Sequence, residues 1–325
     1  MRRLITVTII VLSVLMMIFS GCSNGDLEPD SGALTLSITD SPIQDDALTG
    51  VWITIKGVEA HTPEGGWQSY EGAIPDEAIN LMELTSGTTE ILGTAVPVVS
   101  GRYTQIRFLL DIQETSDGVP NNPGCYVTFD DDNDPLTEDV EYPLFVPSGD
   151  TSGYKAVKSF TVPVNGTIAV TADFDVRKAL VNTSTSEFPH YILKPTIRLV
   201  VDNEAGWIHG PVAVDDVPVA ASSIVVYAYT DGTWTNSETD EPLLETETRF
   251  SNAVTSAVVE ENADTGENSF KLAFLAAGSY DIAAALYDTD GNFIQTWGFY
   301  SNAQVTETKG TVIGLNAESL SPVLE

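Results

Sequence analysis

The sequence is poor in cysteine, histidine and positive charge. Its 325 residues include two cysteines, three histidines and 14 lysines and arginines, against 47 aspartates and glutamates. A net charge of -33 repels phosphate backbones and anionic head groups, which excludes DNA or RNA binding. With only Cys22 and Cys125, a disulfide-stapled scaffold is excluded, and the core must hold the fold. Cys125 reads as a small apolar residue opening a strand, Cys125 to Phe129. His61, His190 and His209 form no His-Glu-x-x-His pair and join no Cys/His cluster, which argues against catalytic zinc. No Gly-x-Ser-x-Gly elbow and no phosphate-cradling glycine loop occurs. A Ser-His-Asp constellation built from distant positions, or a carboxylate pair for glycoside hydrolysis, stays open. No catalytic residue is assigned, and the chain reads as no enzyme.

No run is long enough to span a membrane either. The one extended apolar stretch, Leu4 to Phe19, falls short of the roughly 20 residues a spanning helix needs. It follows a basic Met1-Arg2-Arg3 start and ends in Phe19-Ser20-Gly21-Cys22, then polar SNGDLEPDSG. That ending resembles the lipobox of bacterial lipoproteins, with Phe19 where the pattern usually carries Leu. The resemblance implies a signal peptide over residues 1–21, acylation of Cys22 and a lipid anchor in a membrane. The protein would then sit in the cell envelope, facing the periplasm or the exterior. Residues 22–32 read as a flexible tether.

Beyond the tether the pattern is that of an all-β chain. Leu34, Leu36 and Ile38 alternate with threonine and serine, and Tyr103 to Ile112 alternates likewise. The stretch Ser159 to Val201 organises this region. It holds Asn165-Gly166, a hairpin signal, and then Ile168, Val170, Ala172, Phe174 and Val176 on one face. Thr167, Thr171, Asp173 and Asp175 fall on the other, and a return strand ends at Val201. Short strands at turn-rich intervals predict β-sandwiches. The ordered motifs LTLSITDSP, VWITIKGVEAH, GWQSY, INLMELTSG, GRYTQIRFLLD, EYPLFVPSGD, FTVPVNGT, DFDVRKALV and YILKPTIRLV resemble an uncharacterised bacterial lipoprotein domain, the four-three-eight-two family of domains of unknown function. The resemblance covers about half the chain and implies an envelope-anchored β domain with no activity to carry over. Residues 113–139 depart from it as an Asp-, Asn- and Pro-rich insertion.

Alternation stops at Asp202 to Gly206, which reads as a hinge between domains over residues 33–203 and 206–317. FKLAFLAAGSYDIAAALYDTDG, with its Ala277-Gly278-Ser279-Tyr280 turn, resembles transthyretin-like modules and implies a second β-sandwich. No long repeat is visible, and residues 318–325 read as a fraying tail. Inside the insertion, Asp130, Asp132, Asp134 and Glu141 fall at calcium-loop spacing, so calcium is the one cofactor considered. Pro135 stands where the helix-loop-helix version needs glycine, and a solvated acidic turn is the alternative. The five tryptophans, Trp52, Trp67, Trp207, Trp234 and Trp297, read as core or rim residues. The chain is expected to be a lipid-anchored binding, adhesion or scaffolding module, meeting an envelope protein or a glycan. The alternative is a carbohydrate-binding or carbohydrate-processing lipoprotein, marked by a cleft with exposed tryptophan and facing carboxylates.

Overall fold

The computed structural model describes residues 30–41, 48–112, 124–130, 139–149, 151–183, 191–241 and 248–321. Within them the protein is almost wholly β, as the alternation predicts. In chain order the first unit holds β1 (Ser31–Asp40), β2 (Leu48–Ile53), β3 (Ile55–Thr62), β4 (Gly66–Ser69), β5 (Ile79–Asn80), β6 (Glu90–Val99) and β7 (Gly101–Leu110). It continues with β8 (Cys125–Phe129), β9 (Val140–Phe145), β10 (Tyr154–Val162), β11 (Thr167–Phe174), β12 (Leu180–Asn182), β13 (Tyr191–Leu193) and β14 (Ile197–Val201). A 3-10 turn, Asp202–Glu204, leads into the second unit. There follow β15 (Ala205–Pro211), β16 (Ser223–Thr230), β17 (Thr255–Val258), β18 (Glu260–Glu261), β19 (Asn268–Ala276), β20 (Gly278–Tyr287), β21 (Phe293–Val305) and β22 (Gly310–Val312).

The first unit packs sheet β14-β11-β1-β6 against sheet β10-β7-β3-β4. Leu34, Leu36 and Ile38 of β1 and Ile106, Phe108 and Leu110 of β7 are fully buried in one shared core. Each such side chain contributes about 1.5–3 kcal/mol by leaving water. In the second unit, sheet β18-β19-β15-β22 and sheet β17-β16-β20-β21 enclose a separate core around Ile208, Val226, Leu272, Ile282 and Leu286.

Two readings of the organising stretch are corrected. Asn165-Gly166 does not close a hairpin, because β10 and β11 lie in different sheets. Asn165, at φ 54°, turns the chain across the sandwich, and its N–H donates to Ser31 O at 2.8 Å. A short turn fixes chain reversal but leaves the partner strand to tertiary packing. In addition, the supposed polar face of β11 is exposed only at Thr167 and is buried further on: Thr171 is 1% exposed and Asp173 2%. Thr171 bonds to Asp202, and Asp173 pairs with Arg198, which itself reaches Phe274 O of the second unit.

The two units repeat one topology. Strand β1 lies between antiparallel β6 and parallel β11; β15 lies between antiparallel β19 and parallel β22. Strand β7 lies between β3 and β10, and β20 between β16 and β21, all antiparallel. Strands β4 and β17 flank β3 and β16 in the same way. The crossing from one sheet to the other also matches. In the first unit it is Val99-Ser100-Gly101-Arg102-Tyr103, and the Tyr103 hydroxyl donates to Val99 O at 2.8 Å. In the second it is Ala276-Ala277-Gly278-Ser279-Tyr280, and Tyr280 donates to Ala276 O at 2.9 Å. Sheet β12-β13-β9-β8-β2-β5 has no counterpart among the described residues of the second unit. It is an addition to the shared sandwich.

Candidate functional site

Cys22, His190, Asp132 and Asp134 lie outside the described residues. Asp130 follows β8 and Glu141 lies within β9, two antiparallel strands paired Phe129 with Val140 and Thr128 with Glu141. The acidic stretch is thus the connection of a β-hairpin on the added sheet. Among the described residues no group of three or more His, Cys, Asp or Glu is placed to hold a metal. Cys125 opens β8 fully buried, and burial pushes its thiol up to about 12, which makes it unreactive. His61 Nδ1 shares a 2.9 Å hydrogen bond with Thr104 Oγ1, and its ring meets the edge of Trp67. His209 lines a groove of about 630 Å³ with Glu260, Glu267, Lys271 and, across from them, Ser86 of the first unit.

The added sheet carries an aromatic pair on its outer face. Trp52 of β2 faces Tyr126 of β8, with ring centroids 5.7 Å apart and planes within 10°. Such a spacing means offset rather than superposed rings. A bulge between Leu48 and Gly50 brings Thr49 onto the same patch. The Trp52 indole lies over Gly50, where a Cβ would come within 2.1 Å of Nε1. Its N–H donates to Thr128 Oγ1 at 3.2 Å, and Thr128 and Thr49 hydroxyls sit 2.9 Å apart. The Thr49 hydroxyl in turn donates to an Asp139 carboxylate oxygen. Tyr126 feels the Glu141 carboxylate: burial first, then that charge, raises its hydroxyl pKa. The indole is therefore locked by one glycine, one bulge and a chain of hydrogen bonds, with carboxylates at the rim.

Between the units lies a buried, charged joint. Arg177, 4% exposed, stands in the helical turn Val176–Ala179 and donates to Phe250 O and, at 3.2 Å, to Ala253 O of the second unit. It also pairs with Asp175 at 3.0 Å and lies 5.5 Å from the centre of the Tyr227 ring. Lys178 Nζ donates to Ala253 O at 2.6 Å, and Arg198 donates to Phe274 O at 2.8 Å. Ser41 and Thr255 hydroxyls share a 3.0 Å bond across the same boundary. Phe250 and Phe274 both have φ in the left-handed region, 57° and 55°. Bulky aromatics avoid that region, at a cost of about 1–3 kcal/mol. Each strained residue thereby turns its carbonyl toward an arginine of the first unit.

Three acids share the joint. Burial holds the Asp40 carboxyl well above its ordinary range, the Val176 N–H opposing at 2.9 Å while Asp173 and Asp175 add repulsion. Burial also raises Asp173, against the pull of Arg198 at 2.5 Å. Burial lowers the Lys178 ammonium more than Asp175 raises it. For Arg177 burial opposes the charge, but Asp175 and the two tyrosine hydroxyls outweigh it and its pKa rises. Sequence reasoning missed this cluster. A signal existed: Arg177, Lys178, Lys194 and Arg198 crowd one short stretch of a chain with few cations.

The fold defines a protein of two tandem β-sandwiches joined through buried charge, the first enlarged by an extra sheet. The chain belongs to the family described as a domain of unknown function, DUF4382, which matches residues 31–195. No curated protein matches it. Similar solved structures include a leucine-rich repeat protein from Bacteroides thetaiotaomicron VPI-5482, at 11% identity and TM-score 0.23, covering 90% of this chain and 27% of that one. The Bacillus anthracis TIE protein is 13% identical at TM-score 0.17, covering 88% of this chain and 34% of that one. A fimbrial protein from Bacteroides ovatus ATCC 8483 is 10% identical at TM-score 0.17, covering 91% and 50% respectively. The chain thus spans about a quarter to a third of the first two. No helix among the described residues is long and apolar enough to cross a membrane.

Proposed function

We propose that the protein is a lipid-anchored, non-enzymatic binding module of the cell envelope, held by acylated Cys22 and presenting its two units as one stiff body. The joint carries this reading. Two arginines and a lysine, held by first-unit carboxylates and buried against carbonyls of the other unit, resist bending, because opening would strip strained carbonyls of their charged donors. A stiff body suits presentation of a surface at a distance from a membrane. In this reading the first unit, enlarged by its extra sheet, does the binding, and the second, transthyretin-like unit supports it. Calcium at Asp130, Asp132, Asp134 and Glu141 is a competing use of the same acidic edge, because it would occupy the Glu141 carboxylate.

The test compares cells carrying the wild-type chain, Cys22→Ser and no chain. Fatty-acid labelling should mark the wild type and spare Cys22→Ser. Wild-type cells alone should retain the chain in membranes and show its crosslinks to surface components. Equal labelling, or a chain that crosslinks to nothing while turning over a substrate, overturns the reading.

A further inference from the structure

The two units offer an internal control for where function was added. Elements shared by both, including the core strands and the tyrosine at each crossing, serve the sandwich itself. The sheet without a counterpart among the described residues of the second unit is not needed for the sandwich and is free to serve something else. Its outer face holds one rigid aromatic patch, and that patch is built rather than incidental. Gly50 leaves space for the indole, the bulge at Thr49 supplies a hydroxyl, and Thr128 fixes the indole nitrogen.

From this we infer that Trp52 and Tyr126 form a platform on which a neutral oligosaccharide stacks, with Asp139 and Glu141 accepting hydrogen bonds from its hydroxyls. The inference rests on the binding reading above and names its ligand class. The chemistry selects that class. An aromatic face is electron-rich and attracts the weakly positive C–H face of a sugar ring. The two rings stack, planes within 10° and centres 5.7 Å apart, and the pair offers one outward ring face to a sugar residue. The rim charges are carboxylates, which accept from hydroxyls and repel uronic or sulfated sugars. Because Trp52 is already held by its hydrogen bond, little freedom is lost on binding.

The experiment uses the full chain purified in detergent, titrated with neutral gluco-, manno- and N-acetylglucosamine oligosaccharides and with carboxylated and sulfated counterparts. At least one neutral series should bind, and the anionic counterparts more weakly. Trp52→Ala and Tyr126→Ala should each weaken binding about tenfold or more. Trp67→Ala, on a different sheet, should bind as the wild type does. Thr128→Val keeps both rings but frees the indole, and should weaken binding while leaving the melting temperature close to wild type. If Trp52→Ala fails to fold, Tyr126→Ala and Glu141→Gln decide the matter. Binding unaffected by these variants, a preference for anionic sugars, or no binding by any neutral series overturns the inference. In the last case, persistent surface crosslinks on cells would leave the broader binding reading standing with another ligand.

Discussion

The first and second units share the order of seven strands, a parallel pairing of the first strand and a tyrosine at the sheet crossing, yet among the described residues only the first carries a third sheet. Where both agree, the residues answer to packing: buried leucines and isoleucines, and a hydroxyl bonded four residues back. Where they differ, the first unit gains aromatic and acidic surface, and each unit contributes a different half of the joint. The first supplies cations; the second supplies carbonyls on strained phenylalanines. Asymmetry at the joint makes two similar sandwiches into one directed body.

Removing the cation at the centre of the joint should have the largest effect. Arg177→Met takes one of two cations from Asp175, leaves Phe250 O without its donor, and leaves Ala253 O to Lys178 alone. The expected loss is about 3–5 kcal/mol, and denaturant unfolding should split from one transition into two. An unchanged single transition would mean that the units cohere without the charges.

The crossing tyrosines test whether the shared device does the same work twice. Tyr103→Phe and Tyr280→Phe each remove one hydroxyl bond of nearly equal length. Each should cost about 1 kcal/mol by chemical denaturation, and in the Arg177→Met background the loss should fall in the transition of its own unit. Unequal losses would show that the likeness is geometric only.

Asp40 belongs to the first unit alone and gives the joint a pH dependence. Its folded pKa lies above the ordinary 3.8, so the folded state binds its proton more tightly. That contribution is full below the unfolded value and is lost as pH rises through the folded one. Asp173 shifts in the same direction. Asp40→Asn, uncharged throughout, should therefore gain in melting temperature relative to wild type as pH climbs from 4 to 7. A constant difference across that range would remove Asp40 from the account.

The smallest effect concerns the acidic hairpin connection. Millimolar calcium should raise the melting temperature by more than sodium at equal ionic strength, and Asp132→Asn/Asp134→Asn should abolish the excess. Equal responses would leave a solvated turn.

Strand content was legible because alternation is a local signal. Leu34, Leu36 and Ile38, or Ile106, Phe108 and Leu110, announce a buried face without reference to any partner. Which strands pair was not legible, as Asn165-Gly166 demonstrates: a turn between alternating strands served a crossing between sheets. The joint was hidden for a related reason. Thr171, Asp173 and Asp175 carry the composition of a solvent face, yet they are interior, bonded to Asp202, Arg198 and Arg177 beside the joint. The duplicated topology left no visible repeat because strand order is kept by spacing and core volume, which many sequences satisfy. For the aromatic platform, Gly50-Val51-Trp52 was in plain view, but its meaning depended on Tyr126 and Thr128 arriving from another strand.

Strand β1 also has a mechanical meaning. It is the first strand among the described residues, and it lies inside its sheet, flanked by β11 from Ala33 to Asp40 and by β6 on the other side. A pull arriving from the N-terminal side enters at Ser31 and runs along the strand axis. Both ladders are then loaded in shear, and their hydrogen bonds share the force together instead of opening one after another. Leu34, Leu36 and Ile38 would have to slide through the core at the same moment. A protein tugged from its leading end would yield late and abruptly, not by gradual unzipping.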